Sequence, residues 1–101
     1  MNLDIRLIRH GSDAELKLHG YIDAGNAPEM EKILTQAAER FDSLTLDMEK
    51  LDYVSSAGLR TFKQVYGILR KKGGTLYARN VSKALLEIFE VTGFIRLFKF
   101  L

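Results

Sequence analysis

The sequence predicts an α/β fold built on a mixed β-sheet, and two patterns carry that prediction. Near the N-terminus, two segments alternate apolar and polar residues with a period of two, which is typical of half-buried strands. Over the last two-thirds of the chain, short apolar strands alternate with amphipathic helices. That alternation indicates parallel strands joined by right-handed crossovers. The predicted order is β-β-α-β-α-β-α-β, with about three to four helices packed on the sheet.

The first two strands are expected to form an antiparallel hairpin over residues 3–19. Their apolar residues occupy every second position, at Leu3, Ile5 and Leu7 and then at Ala14, Leu16 and Leu18. The segment between them, His10-Gly11-Ser12-Asp13, has the composition of a turn.

Three helices are predicted from apolar residues at helical spacing. The first follows a loop over residues 20–27, carries Pro28 in its first turn and ends near Arg40. The second starts near Gly58 and is stopped by Gly73-Gly74. The third is capped by Ser82 or Asn80 and closed by Gly93. The remaining strands are predicted over residues 44–48, 75–78 and 97–100.

Length and composition exclude several classes of protein. The chain of 101 residues suggests one domain over residues 1–101, and 47% apolar with 28% charged residues is typical of a globular core. The absence of cysteine excludes disulfides and Cys-ligated metals and agrees with a cytoplasmic protein. No apolar run approaches the roughly 20 residues of a membrane span, and the charged N-terminus is not a signal peptide. We therefore expect no membrane insertion.

Binding of nucleic acid, a metal or a cofactor is not expected. The net charge of +2 is too small to indicate a nucleic-acid surface. His10 and His19 lie far apart along the hairpin, so we expect neither a metal site nor a catalytic role for them. A serine nucleophile needs a base and an orienting group, and the chain lacks the Gly-x-Ser-x-Gly elbow. We therefore do not expect an enzyme.

The segment Leu51-Asp52-Tyr53-Val54-Ser55-Ser56-Ala57-Gly58-Leu59-Arg60 is the most informative part of the chain. It connects a predicted strand to a predicted helix, so it presents two adjacent hydroxyls where free helix N–H groups begin. The free N–H groups at such a helix start tolerate a negative charge, and the loop can present its hydroxyls to a partner protein.

With these segments, the chain resembles the STAS domain, and more closely the bacterial anti-sigma factor antagonists. The resemblance lies in Leu18-His19-Gly20-Tyr21-Ile22-Asp23, in residues 44–48 with the loop over residues 51–59, in Lys72-Gly73-Gly74-Thr75-Leu76, and around Gly93. It covers nearly the whole chain and implies the STAS fold.

The family's loop usually reads Asp-Ser-Ser/Thr-Gly-Leu, and its first Ser is phosphorylated by an anti-sigma factor that is a serine kinase. Aligned on Gly58-Leu59, the phosphorylated position falls on Ser56. The chain departs from the pattern twice, with Ser55 in place of the Asp and Ala57 in place of the second hydroxyl. The resemblance implies that the unphosphorylated protein binds the anti-sigma factor and that phosphorylation releases it.

The expected partner surface comprises Asp23, Ser55, Ser56, Ala57, Gly58, Arg60 and Lys63. Structural roles compete at several of these positions. Ser56 can act as the cap of the second helix, Ser55 as a turn residue, and Asp23 as the cap of the first helix. Arg60 and Lys63 either meet an acidic partner or face only water, and Gly58 and Gly20 serve backbone geometry or a close approach.

An alternative function keeps the fold. STAS domains also serve as subunits that are not phosphorylated, for example in a lipid-transport ABC complex or in anion transporters, and Ser55 and Ala57 make that role credible here. We expect the free chain to be a monomer.

Overall fold

The computed structural model describes residues 2–101 and has the predicted order of strands and helices. The predicted domain over residues 1–101 includes Met1, which lies outside the described residues. The strands are β1 (Leu3–His10), β2 (Asp13–Ile22), β3 (Leu44–Val54), β4 (Leu76–Arg79) and β5 (Lys99–Phe100). The helices are α1 (Ala27–Arg40), α2 (Ser56–Lys71) and α3 (Lys83–Thr92), followed by a 3₁₀ turn at Phe94–Leu97.

The five strands form one mixed sheet in the spatial order β1-β2-β3-β4-β5. The β1–β2 pair is antiparallel, and every later pair is parallel. Because each parallel strand lies beside the one before it, right-handed crossovers place every helix on the same face of the sheet. The aromatic rings of Phe62 in α2 and Phe89 in α3 meet edge to face at 6.4 Å between centroids. The predicted mixed sheet with an N-terminal hairpin is confirmed.

The two faces of the sheet differ in chemistry. On the face under the helices, Leu16, Leu46 and Ala78 lie side by side and are fully buried. On the other face, Lys17, Asp47 and Arg79 form the neighbouring row. We call this second face, which also carries Arg6, His19 and Lys50, the open face. The core therefore lies on one side of the sheet, and the other side is polar.

The ends of several elements differ from the prediction, and the largest difference is in β3. This strand continues to Val54 instead of stopping at Met48, and α2 begins at Ser56 instead of near Gly58. β3 carries two extra residues relative to β2: Lys17–His19 faces Asp47–Lys50, and Gly20–Tyr21 faces Leu51–Tyr53. Such bulges break the alternation of apolar and polar residues and increase the local twist. The alternation therefore could not predict where β3 ends.

Two further boundaries were wrong, and one open alternative is decided. β2 runs on to Ile22, and the last predicted strand is mostly the 3₁₀ turn, with β5 reduced to Lys99–Phe100. Ser82 caps α3, since its hydroxyl accepts a hydrogen bond from the Leu85 amide at 3.2 Å. Gly93 ends α3 in the left-handed conformation, with φ of +81°.

Asp47 ties three strands together from the open face. Its carboxylate is only 5% exposed, and it accepts hydrogen bonds from Lys17 Nζ at 3.3 Å, the Glu49 amide at 3.1 Å and Asn80 Nδ2 at 3.2 Å. Burial raises the pKa of Asp47, but the hydrogen bonds from Glu49, Asn80 and Lys17 outweigh burial and hold the pKa below its ordinary value. The ionised carboxylate therefore stabilises the fold.

Replacing Asp47 by Asn is expected to lower the free energy of unfolding at pH 7 by about 1–3 kcal/mol, because charged hydrogen bonds become neutral ones. Since the folded-state pKa lies below the unfolded one, the stabilisation is complete above the ordinary Asp pKa and is lost as the pH falls through the lowered value. Urea unfolding of both proteins between pH 7 and 2 measures this. A difference that does not shrink toward the acid end would contradict it.

Candidate functional site

The loops that follow β2 and β3 leave the sheet side by side. Ile22 lies opposite Val54 at the end of the two strands, and the Ser55 amide donates a hydrogen bond to the Ile22 carbonyl at 2.9 Å. Carboxyl ends of parallel strands meet at one edge of a sheet, so Asp23 and Ser56 emerge there together. The structure thus brings together the two predicted parts of the partner surface.

Gly58 allows α2 to start against the ends of these strands. A Cβ atom at this position would lie 2.7 Å from Ile22 Cγ2 and 2.9 Å from Val54 Cγ1. Both neighbouring side chains are buried and have little room to move. Of the two roles proposed for Gly58, the close approach is the one the structure shows. Gly20 combines both roles, since its φ is +117° and it faces the Asn2 backbone.

Replacing Gly58 by Ala is expected to destabilise the protein by about 1–3 kcal/mol, because the added methyl overpacks the contact with Ile22 and Val54. Gly67, also in α2, is the matched control, since nothing lies within 4 Å of a Cβ built there. Gly67→Ala should stabilise the helix by about 0.5–1 kcal/mol. Denaturant titrations compare the two, and equal effects would rule out the contact as the cause.

The two adjacent serines have different roles at the start of α2. Ser55 is the cap: its hydroxyl accepts a hydrogen bond from the Gly58 amide at 3.2 Å, and the Leu59 amide donates to its carbonyl at 3.0 Å. Ser56 is the first helical residue, and its side chain is exposed. The alternative that Ser56 caps α2 is therefore wrong, and Ser55 is the cap and not merely a turn residue.

Replacing Ser55 by Ala is expected to cost about 1 kcal/mol of stability, because the Gly58 amide loses its acceptor. Ser55→Asp should retain the stability of the natural protein, since Asp and Ser are similarly good caps. Thermal melts of the two variants measure this. A Ser55→Asp variant as unstable as Ser55→Ala would show that a carboxylate cannot occupy the cap.

Asp23 caps the helical turn that leads into α1. Its Oδ1 accepts hydrogen bonds from the amides of Gly25 and Asn26, both at 2.9 Å, and the Asn26 side chain accepts from the Asp23 amide. The Ala27 amide also donates to the Asp23 carbonyl at 3.0 Å, while Asn26, directly before Ala27, makes no side-chain cap bond to α1. This reciprocal pattern is that of a capping box, so the structure shows the capping role considered for Asp23. These bonds form a compact Asx turn that holds the half-buried Asp23 beside the start of α2.

Arg60 and Lys63 extend from the site along the exposed side of α2. They follow Ser56 by four and seven residues, which places all three on one stripe of the helix. Both cations are exposed, and within residues 2–101 neither forms an ion pair. We call Ser56, Arg60 and Lys63 the basic ridge. Ala57, beside it, is half-buried against the core.

Comparison with known proteins decides the family. The family model described as "STAS domain" matches residues 4–101. The chain belongs to the STAS domain family. The match covers all of the sheet except Leu3, all three helices and the whole candidate site.

Individual relatives of this STAS domain carry related names. It is 29% identical to the Anti-sigma-B factor antagonist of Bacillus subtilis (strain 168), over 92% of this chain and 85% of that protein. Its fold is similar to the structure of the anti-sigma factor antagonist SpoIIAA in its unphosphorylated form, with a TM-score of 0.84, 15% identity, and coverage of 97% and 88% of the two chains. It is also similar to the Bacillus cell fate determinant SpoIIAA in the phosphorylated form, with a TM-score of 0.76, 15% identity, and coverage of 97% and 91%.

Two residues without a predicted role lie at this site of the STAS domain. Tyr21 and Tyr53 lie opposite each other in β2 and β3, directly before the two loops, and are 36% and 51% exposed. Alternation from Leu44, Leu46 and Met48 in β3, and from Leu16 and Leu18 in β2, places both tyrosines on the face opposite the core, and this pattern could have found the pair. Leu51, buried between the two bulges of β3, breaks the pattern and hides it.

Other features of the STAS domain lie away from this site. A concave region of about 590 Å³ on the open face, between β1 and β3, is lined by acidic and basic side chains in similar number. It contains none of the predicted site residues. Among residues 2–101, no cluster of three His, Cys, Asp or Glu side chains has a metal-binding arrangement. Within the same range, no helix has the length and hydropathy needed to span a membrane.

Proposed function

We propose that this STAS domain is an anti-sigma factor antagonist. It binds an anti-sigma factor that has serine kinase activity, and phosphorylation of Ser56 by that kinase releases it. The observation that carries the proposal is the exposed Ser56 hydroxyl in the first turn of α2, where Ser55 has already taken the capping role. The names of the relatives support it, as does the same fold in SpoIIAA structures with and without phosphate.

Ser56 is a better acceptor of phosphate than Ser55. The Ser55 hydroxyl is half-buried and holds the Gly58 amide, so modifying it would remove the helix cap. Ser56 is exposed and does not cap the helix. In the transfer, Ser56 Oγ attacks the γ-phosphorus of ATP bound to the kinase, its proton passes to a base of the kinase, and ADP leaves. The missing Asp at position 55 does not alter the helix start, because Ser caps as well as Asp.

A phosphate on Ser56 should leave the fold intact. It adds a charge of about −1.5 to −2 at pH 7. In residues 2–101, the amides of Ser56 and Ala57 have no hydrogen-bond acceptor, and the first turn of α2 contains no acidic residue that would repel the phosphate. The helix dipole and the cation of Arg60, one turn further on, both favour a negative charge there. The release of the partner must therefore come from the interface and not from unfolding.

The charge of the basic ridge explains how release occurs. Arg60 and Lys63 together carry +2, which suits an acidic surface on the anti-sigma factor. A phosphate of about −1.5 to −2 cancels nearly all of that charge and must also be desolvated in a packed interface. Asp23, Ser55, Ala57 and Gly58 complete the proposed surface around it. The antagonist would act as a monomer in the cytoplasm before it meets its partner.

We expect Ser56→Ala to bind a kinase-type anti-sigma factor about as tightly as the natural chain, and Ser56→Asp to bind at least about 10-fold more weakly, because a carboxylate imitates part of the phosphate charge. Each such anti-sigma factor encoded in the same genome is purified and titrated against both variants by calorimetry. Incubation with ATP followed by mass spectrometry should place phosphate on Ser56, and none on the Ser56→Ala variant.

Ser12→Asp is the matched control. It adds the same charge at the exposed hairpin turn, at the opposite end of β2, and should bind normally. If Ser56→Asp binds as tightly as Ser56→Ala, the proposal that phosphorylation of Ser56 releases the partner is wrong. If the natural chain binds none of these anti-sigma factors and instead copurifies with an ATPase and a permease, the alternative role as an unphosphorylated transport subunit replaces this proposal.

A further inference from the structure

Two exposed aromatic side chains adjoin the proposed switch. Tyr21 is the second-to-last residue of β2, and Tyr53 is the second-to-last residue of β3. The two lie opposite each other in the register of the strands. The next pair, Ile22 and Val54, is buried under the helices. Because neighbouring residues of a strand point to opposite faces, both tyrosines lie on the open face. We call them the tyrosine pair.

The backbone is shaped so that the pair stays outside the core. Gly20 lies opposite Leu51, and the next residue of β2, Tyr21, lies opposite Tyr53, so Asp52 is an extra residue of a bulge. This bulge compensates the first one, where Lys17–His19 faces Asp47–Lys50: the first turns Leu51 under the helices, and the second returns Tyr53 to the open face. Bulges commonly redirect a side chain next to a functional site. Here the two bulges together keep Tyr53 on the open face, opposite Tyr21, which regular alternation in β2 places there.

The pair is continuous with the surface around Ser56. The hydrogen bond from the Ser55 amide to the Ile22 carbonyl joins the two strand ends at 2.9 Å. Asp23 follows Tyr21 by two residues, and Ser56 follows Tyr53 by three. The tyrosine pair therefore borders the site on the side of the sheet, while the basic ridge borders it on the side of α2.

We propose that the tyrosine pair is the apolar anchor by which this chain holds the anti-sigma factor. This inference rests on the proposed function and adds to it the residues that hold the partner. Tyrosine combines a large apolar ring with a polar tip and is enriched among the residues that dominate binding energy. The pair offers a contact for an apolar side chain of the partner, and its hydroxyls can bond at the rim. The basic ridge supplies the charge that guides the encounter.

This arrangement divides binding between two regions. A phosphate on Ser56 changes the charge next to the ridge and leaves the rings themselves unaltered. Substitutions in the tyrosine pair should therefore increase the rate of dissociation, with little effect of salt. Substitutions of Arg60 or Lys63 should mainly slow association and weaken its dependence on salt. A purely structural aromatic pair would alter the stability of the chain but not the affinity of the folded protein.

The test uses the full chain and the anti-sigma factor that binds it in the experiment above. Tyr21→Ser and Tyr53→Ser should each weaken binding by about 30-fold, as expected for a residue that dominates an interface. Tyr→Phe at either position should weaken it by less than about 5-fold, because the ring remains. Val91→Ser, which removes an 88% exposed apolar side chain of α3, is the control and should bind normally. Thermal melts confirm that each variant is folded.

A measurement on the natural chain covers the case in which a Ser variant does not fold. The four tyrosines are labelled as 3-fluorotyrosine and followed by ¹⁹F NMR, with assignments from Tyr→Phe variants. Binding should shift the signals of Tyr21 and Tyr53. It should leave Tyr77, paired with Thr45 near the opposite end of the open face, unchanged.

The outcomes separate the two proposals. Folded Tyr→Ser variants with the affinity of the natural chain, or unshifted Tyr21 and Tyr53 signals in a saturated complex, overturn the anchor and leave the switch at Ser56 standing. A natural chain that binds no kinase-type anti-sigma factor overturns the proposed function and the anchor together.

Discussion

The candidate site depends on the contact between the first turn of α2 and the ends of β2 and β3. Gly58 faces Ile22 and Val54 so closely that a methyl group would not fit. This contact positions the helix start at the level where the strands end, and the Ser55–Ile22 hydrogen bond joins the two loops there. Asp23, Ser56 and the tyrosine pair come from different elements, so one tight packing contact determines their relative positions.

The two serines show how one short loop meets two requirements. A helix start needs an acceptor for its free amides, and a modifiable hydroxyl must be exposed. Ser55 provides the acceptor and Ser56 the exposed hydroxyl. The departure from the family's Asp at position 55 is conservative for the fold, because a hydroxyl and a carboxylate can both accept from the Gly58 amide. It changes the charge by one unit at a position that belongs to the proposed partner surface.

Charges are used differently on the two sides of the site. On the open face, Lys17 pairs with Asp47 at 3.3 Å and Arg79 with Glu15 at 3.4 Å, and both carboxylates are nearly buried. The first pair joins the neighbouring strands β2 and β3, and the second reaches across β3 from β4 to β2. Together they leave little net charge for a ligand. On α2, Arg60 and Lys63 make no such pairs within the described residues and remain available to a partner. The tyrosine pair lies between the open face, where charged side chains pair with one another, and the basic ridge, where they do not.

The amino-acid sequence by itself determined the types and order of the elements, the N-terminal hairpin, the end of α3 at Gly93 and the importance of the loop over residues 51–60. These features are local, since periods of two and 3.6 residues and the chemistry of caps depend on near neighbours. Only the tertiary structure decided that β3 continues to Val54 and that Ser55 and not Ser56 caps α2. It also decided that Asp23 caps the turn before α1 and that the register of β2 and β3 brings Tyr53 beside Tyr21. Bulges depend on hydrogen bonds to a strand more than 25 residues away, and the start of α2 depends on the space that Ile22 leaves for Gly58. Neither the partner strand nor that space can be deduced from the periodicity of the segment itself.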